Sequence, residues 1–262
     1  MDLGLQGKTA LITGASSGIG LAIARRLGRE GCTVAVCGRA AAKLDEALAS
    51  LRSDGVSCYA IQADLGDVTE VARLSREAVA ALGRVDIVVS NAGTHVQGRL
   101  EEIETARLEH HLREKVLGPW ELARQLVPHM RRNHGGRFIL IIGQAGKVPG
   151  ERVIASAVSN AAQHALVKSL SDDLARDGIL VNAVCPSRIA TPLTDGLTLA
   201  NELHLGRSLE QQESGWGGAV PLGRFGEPDD IANAVAFVAS GRAGFIVGSN
   251  IDVDGGYQRS IL

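Results

Sequence analysis

What this 262-residue sequence lacks narrows its chemistry. It has four cysteines, Cys32, Cys37, Cys58 and Cys185, and no CxxC pair. Three of them fall in apolar, strand-like runs where a reduced thiol packs as a small hydrophobe, so neither a disulfide framework nor a metal site is expected. It lacks an excess of either charge: 27 Lys and Arg face 29 Asp and Glu, a formal balance of -2. That removes the electrostatic basis for a nucleic acid or anionic membrane partner and leaves small-molecule chemistry. It also lacks an apolar run near the roughly 20 residues that span a bilayer. The start, "MDLGLQGKTALITG", has no basic stretch leading into an apolar signal core, so a cytoplasmic protein is expected. No repeat of about 20 to 50 residues and no low-complexity segment interrupts the chain.

What is present is hydrophobic content of 45%, ample for a sizeable core, and a steady alternation of elements. "KTALITG", "TVAVCG", "CYAIQAD", "VDIVVSNAG", "RFILIIG", "ILVNAVCP" and "SNIDVDGG" read as seven strands. Helical patterns fall between them at Ile19 to Arg29, Ala41 to Arg52, Val68 to Leu82, Thr105 to Met130, Val153 to Arg176 and Asp229 to Ala239. Parallel strands need crossover connections and bury both faces, so the expectation is an α/β fold: a single doubly wound Rossmann-type domain over 1–262 with a seven-stranded parallel sheet. The stretch 186–228 is too long for an ordinary connector and is read as a lid. Its Gly196, Leu197, Leu199, Leu203, Leu205 and Trp216 suggest an apolar or ring-bearing substrate.

The first strand ends in "TGASSGIG", which sets Gly14, Ser16, Ser17, Gly18, Ile19 and Gly20 at a strand-to-helix turn. Missing side chains there let the backbone approach a pyrophosphate while helix N–H groups point at it. A tight turn alone would need one glycine, not three. "GASSG" also fits the GxSxG nucleophile elbow, but that reading leaves Gly20 unexplained and needs a His and an acid within reach.

With "TGASSGIG", "ADL" at Ala63 to Leu65, "SNAG" at Ser90 to Gly93 and "RFGEPDDIANAVAFVAS…GFIVGSNIDVDGG" near the end, the chain resembles the short-chain dehydrogenase/reductase family over nearly its whole length. The resemblance implies that Asp64, with Leu65 beside it, meets the adenine. It implies that Asn91 supports strand four beside the cofactor with Ala92 and Gly93, and that Pro186, Ile189 and Thr191 line the nicotinamide carboxamide. Family members that prefer NAD end strand two in an Asp; here Gly38 is followed by Arg39, whose guanidinium can fork onto a 2′-phosphate, so NADP(H) is expected rather than NAD(H). A solvated loop charge is the alternative for Arg39.

The family works with an Asn, a Ser and a Tyr-x-x-x-Lys pair. Aligned on "GPW", "LIIGQAG" and "LVNAVCP", those positions hold Lys115, Gly143 or Gln144, Ser156 and Asn160. All four functional groups have changed, and Ser187 stands where Gly is usual. Ser156 and Asn160 still share a helix face, since four residues make about one turn. An alkyl hydroxyl is a far weaker acid than a phenol of pKa about 10, so ordinary proton transfer is lost unless something replaces it. Lys115 and Asn160 look like an exchange of the family's Asn and Lys, which makes Lys115 the candidate electrophile or proton donor, with Ser156 relaying. Lys115 turned to solvent or to an acidic neighbour is the alternative. His95 is a second candidate acid, and Gln144, Glu151 and Arg152 are possible substrate contacts. His164 is read as interface or core, being roughly 12 Å along the helix from Ser156.

Three functions stay open: an NADP(H)-dependent oxidoreductase of non-standard site acting on a reactive carbonyl, imine or iminium; a catalytically inactive subunit paired with an intact paralogue; and a non-redox cyclase, dehydratase or isomerase. The resemblance implies a homotetramer, or a heterotetramer with an active paralogue, joined through the two long helices.

Overall fold

A computed structural model describes residues 2–192 and 220–259. Most of the expected lid, including Gly196, Leu197, Leu199, Leu203, Leu205 and Trp216, lies outside the described residues. The strands are β1 (Thr9–Thr13), β2 (Thr33–Gly38), β3 (Cys58–Gln62), β4 (Ile87–Ser90), β5 (Gly136–Ile141), β6 (Ile179–Pro186) and β7 (Asn250–Val253). They form one seven-stranded sheet in the order β3-β2-β1-β4-β5-β6-β7, and every pairing is parallel.

Helices α1 (Gly18–Arg29), α2 (Ala41–Ser53), α3 (Val68–Leu82), α4 (Thr105–Leu112), α5 (Gly118–Arg132), α6 (Ile154–Leu174) and α7 (Pro228–Ala239) cover both faces. Successive strand residues point to opposite faces, and the core divides accordingly. Ala10, Ile12, Val34 and Val36 pack with α1 and α7. Leu11, Ala35, Cys37, Val88 and Phe138 pack with α3, α5 and α6. This doubly wound α/β architecture is the one expected, and all four cysteines are free and buried. No helix among the described residues is long and apolar enough to cross a membrane.

The order reverses between β1 and β4, so their carboxyl ends open a crevice where doubly wound folds take ligands. One expected helix is broken: Thr105 to Met130 resolves into α4, a π turn at Arg113–Leu117, and α5. Pro119 has no N–H to donate to the Lys115 carbonyl four residues earlier, so the α ladder fails at that point. Gly118 fits there because a Cβ would sit 2.7 Å from the Leu65 carbonyl oxygen. The widened turn carries Lys115, and π turns inside helices recur at functional sites.

Candidate active site

The first wall of the crevice is backbone. Gly14 has φ +63°, and a Cβ there would lie 2.7 Å from Ala92 Cα; one on Gly20 would lie 2.3 Å from the Gly14 carbonyl oxygen and 2.6 Å from Asn91 Nδ2. Asn91 Nδ2 donates to the carbonyls of Thr13 and Gly14 at 3.1 and 3.0 Å, and the N–H groups of Asn91 and Ala92 both donate to Thr13 Oγ1. The β4 edge is thereby stitched to the glycine turn. The Ser17 side chain makes no capping hydrogen bond to the first turn of α1, which begins directly after it, and uncapped N–H groups at a helix start can serve as an anion cradle. Ser16 lies against Gly38 at the end of β2, and Thr191 covers Gly18 with Cγ2 3.5 Å from where a Cβ would be.

At the β2–β3 end, Asp64 Oδ1 accepts the Gly66 N–H and the Asp64 N–H is held by Glu70, which fixes the loop after β3. Arg39 follows β2, with its carbonyl accepting from Gln62 Nε2 at 2.8 Å. Its guanidinium stands 3.9 Å from Glu114 Oε1. At the other end Ile189 is buried and bridges Gly226, just before α7, and Pro186 pairs with Val253.

The second wall is side chain. The Lys115 stem lies on Gly93, with Cδ and Cε 3.2 and 3.3 Å from where a Cβ would be. Burial lowers Lys115 from the usual lysine range to about 8, and the Glu114 carboxylate pulls weakly the other way. The Lys115 stem thus runs along Gly93 and the residue is partly buried. Burial and the Lys115 charge drive His95 down to about 4, and His111 likewise to about 4. His95 Nδ1 is 3.3 Å from Ser156 Oγ, while its Nε2 is buried without a hydrogen-bond partner among the described residues. The structure thus brings Lys115, His95 and Ser156 together from the π turn, the β4 loop and α6.

Asn160 Nδ2 donates to the Gly143 carbonyl at 2.9 Å, and its Oδ1 is buried with no partner among the described residues. Gly146 fits against Asn160 only because it has no Cβ, so Asn160 also fastens the loop after β5 to α6. Gln144, expected as a catalytic candidate, has a buried amide that donates to the Cys185 carbonyl and to Asp252 Oδ1 at 3.3 and 3.0 Å, tying the loop after β5 to β6 and β7. Arg152, expected near substrate, pairs with Glu102 at 2.7 Å, and the neighbouring Glu151 is exposed. His164 binds Asn250 Oδ1 at 2.9 Å through Nδ1, a core contact rather than an active-site one.

Sequence reasoning missed a buried chain behind Lys115. Glu114 Oε2 accepts Thr94 Oγ1 at 2.6 Å and Thr94 N–H at 2.9 Å; His111 joins Thr94 Oγ1 at 3.4 Å through Nδ1 and Ser159 Oγ at 3.1 Å through Nε2. The signal was legible in part, since His111 and Lys115 stand four residues apart on one helical face, as do Ser156 and Ser159 at three.

A parallel sheet reversing at β1 and β4, with a glycine cradle at the reversal, defines a dinucleotide-binding protein. The comparisons narrow that class. A family model described as enoyl-(acyl carrier protein) reductase matches residues 14–258. The 3-oxoacyl-[acyl-carrier-protein] reductase FabG of Staphylococcus aureus is 35% identical over 250 residues, covering 95% of this chain and 97% of the relative. The oxidoreductase UcpA of Salmonella typhimurium is 32% identical over 255 residues, covering 96% of this chain and 95% of the relative. The crystal structure of L-sorbose reductase from Gluconobacter frateurii, complexed with NADPH and L-sorbose, superposes with a TM-score of 0.93 at 33% identity and full coverage of both chains. The chain belongs to the short-chain dehydrogenase/reductase family, whose relatives named here are oxidoreductases.

Proposed function

We propose that the chain is an NADP(H)-dependent oxidoreductase in which Lys115 supplies the proton that the family's Tyr would give. The observation behind this is Lys115 itself: running along Gly93, beside the His95–Ser156 pair, with its acidity moved to about 8. A general acid works best with a pKa near the operating pH.

The cradle fits the coenzyme, because Gly14 and Gly20 let the turn close against the β4 end where a Cβ would collide, and the Ser17 side chain leaves the first turn of α1 uncapped for a pyrophosphate. Gly14, Ser16, Ser17, Gly18, Ile19 and Gly20 would hold the pyrophosphate and Arg39 the 2′-phosphate. Asp64 and Leu65 would take the adenine, Asn91, Ala92 and Gly93 the middle, Asn160 Oδ1 the nicotinamide ribose, and Pro186, Ile189 and Thr191 the carboxamide. NADPH in the sorbose reductase relative supports the same choice. When bound in reduced form, the nicotinamide supplies the hydride.

Lys115 then gives a proton to the oxygen or nitrogen that gains charge, and its ammonium stabilises that charge beforehand. His95, with a pKa of about 4, is neutral near pH 7 and acts as a relay or anchor to Ser156 rather than as the acid. An ammonium in the site repels a cationic iminium, so a carbonyl or neutral imine is the substrate class. Mixing the purified chain with NADPH and a panel of ketones, aldehydes and imines tests this. Coenzyme oxidation that Lys115→Ala leaves unchanged would refute it.

A second reading has its own support. Leu117 at the end of the π turn, Trp120 on α5 and Ile154 and Val158 on α6 are exposed apolar residues, a surface suited to a tetramer, either of identical chains or with an intact paralogue. Turnover only after mixing with a relative that retains Tyr-x-x-x-Lys would select the partner role.

A further inference from the structure

We infer that Glu114 competes with the coenzyme's 2′-phosphate for Arg39, and so sets how strongly the chain prefers NADP(H) over NAD(H). The inference rests on the NADP(H) reading above and adds to it a residue that contacts neither the hydride nor the substrate. Arg39 is the cation at the carboxyl end of β2, and its half-exposed guanidinium stands 3.9 Å from Glu114 Oε1, whose side chain is only 4% exposed. The carboxylate is fixed, because both the hydroxyl and the N–H of Thr94 donate to Oε2. Its other oxygen has Arg39 as its ion-pair partner.

A buried carboxylate holds on to its counter-ion, since the charge has no water to replace it. Arg39 is the mobile member of the pair, and a guanidinium binds a phosphate dianion in a forked, charge-assisted arrangement. Binding of a 2′-phosphate therefore draws Arg39 from Glu114 and leaves the carboxylate less compensated. NAD(H), with hydroxyls at the same place, makes no such demand. Glu114 thus weakens NADP(H) selectively, and the chain's preference is smaller than Arg39 alone would give.

Calorimetric titration of NADP+ and NAD+ into the full chain, its Glu114→Gln and Arg39→Ala variants and the double variant tests this. Glu114→Gln should tighten NADP+ by about three- to tenfold, up to roughly 1.4 kcal/mol, with NAD+ moving less than about twofold. In the Arg39→Ala background the same substitution should leave the NADP+ to NAD+ ratio where it was. Weaker NADP+ binding, equal tightening of both coenzymes, or a shift that persists without Arg39 would overturn the role of Glu114. Glu114→Met is scored by the same criterion if the glutamine variant folds poorly. A parent chain that binds neither coenzyme would instead refute the NADP(H) reading and this inference with it.

Discussion

The two walls of the crevice obey different rules. Along the turn after β1 the fit is made by what is missing: Gly14 and Gly20 have backbone or an amide nitrogen within 2.7 Å of where a Cβ would be, and Asn91 and Ala92 clamp the turn with four hydrogen bonds from the strand end. Across from it, α6 and the π turn present side chains: Ser156 and Asn160 from the helix, Lys115 from the turn. A wall built from backbone tolerates almost no substitution, whereas a wall built from side chains can exchange its functional groups without altering the fold. On the reading proposed above, that contrast lets a chain hold a nucleotide cradle while the proton donor opposite it is exchanged.

The contrast breaks first at Gly20. Gly20→Ala pushes a methyl to 2.3 Å from the Gly14 carbonyl, so the turn must open, and NADP+ binding by calorimetry should be lost altogether while the far-ultraviolet circular dichroism keeps its α/β form. Retained micromolar binding would mean that the cradle is not where the coenzyme sits.

On the other wall, Lys115→Met should leave NADP+ affinity nearly unchanged and lower kcat by about 10²–10⁴, the usual worth of a positioned acid. The same group fixes the pH dependence. With Lys115 as the proposed acid, reduction would use the ammonium form, so kcat should be flat below pH 8 and fall about tenfold per pH unit above it, while the reverse oxidation rises through the same range. A profile with its break near pH 4 would transfer the acid role to His95.

The fold and the cradle were legible because they rest on local, periodic signals. Apolar strand runs marked β2 and β6 to the residue, the helical pattern marked Val68–Leu82, and three glycines at one spacing marked the turn. The second wall was legible only as positions. Lys115 and Ser156 could be placed by register, but that His95 would turn back onto Ser156, or that Glu114 would sit inward on Thr94, depends on loops folding together from residues 61 and 20 positions apart. Gln144 shows the same limit in reverse: a polar residue after β5 reads as a substrate contact until the sheet brings Asp252 beside it. The π turn was hidden because its cause is one missing N–H at Pro119 within an otherwise helical pattern.

Stability gives a smaller contrast, opposite in sign to activity. Lys115 titrates near 8 in the folded chain and near 10.5 when unfolded, so between those values the unfolded state binds more protons and stability rises with pH. Below pH 8 the full cost of holding the ammonium inside is present. Lys115→Met removes that cost and should stabilise the inactive variant at pH 7 by on the order of 1–3 kcal/mol, measured by urea denaturation. The gain should vanish above about pH 10.5, and a loss of stability at pH 7 would show that Glu114 depends on Lys115 more than burial penalises it.

The smallest effect is expected at Ser156. Its hydroxyl is 3.3 Å from His95 Nδ1, a long hydrogen bond between neutral groups, and such a bond contributes about 1 kcal/mol. If Ser156 only orients His95, Ser156→Ala should reduce kcat by a few fold and leave the break near pH 8 in place. If the serine hydroxyl passes the proton between Lys115 and substrate, the same change should approach the Lys115→Met loss, because a relay fails completely when one member is removed. Measuring kcat for both variants and for the double variant separates these cases: additive losses mark an orienting residue, and a double variant no slower than Lys115→Met alone marks a relay that needs both groups.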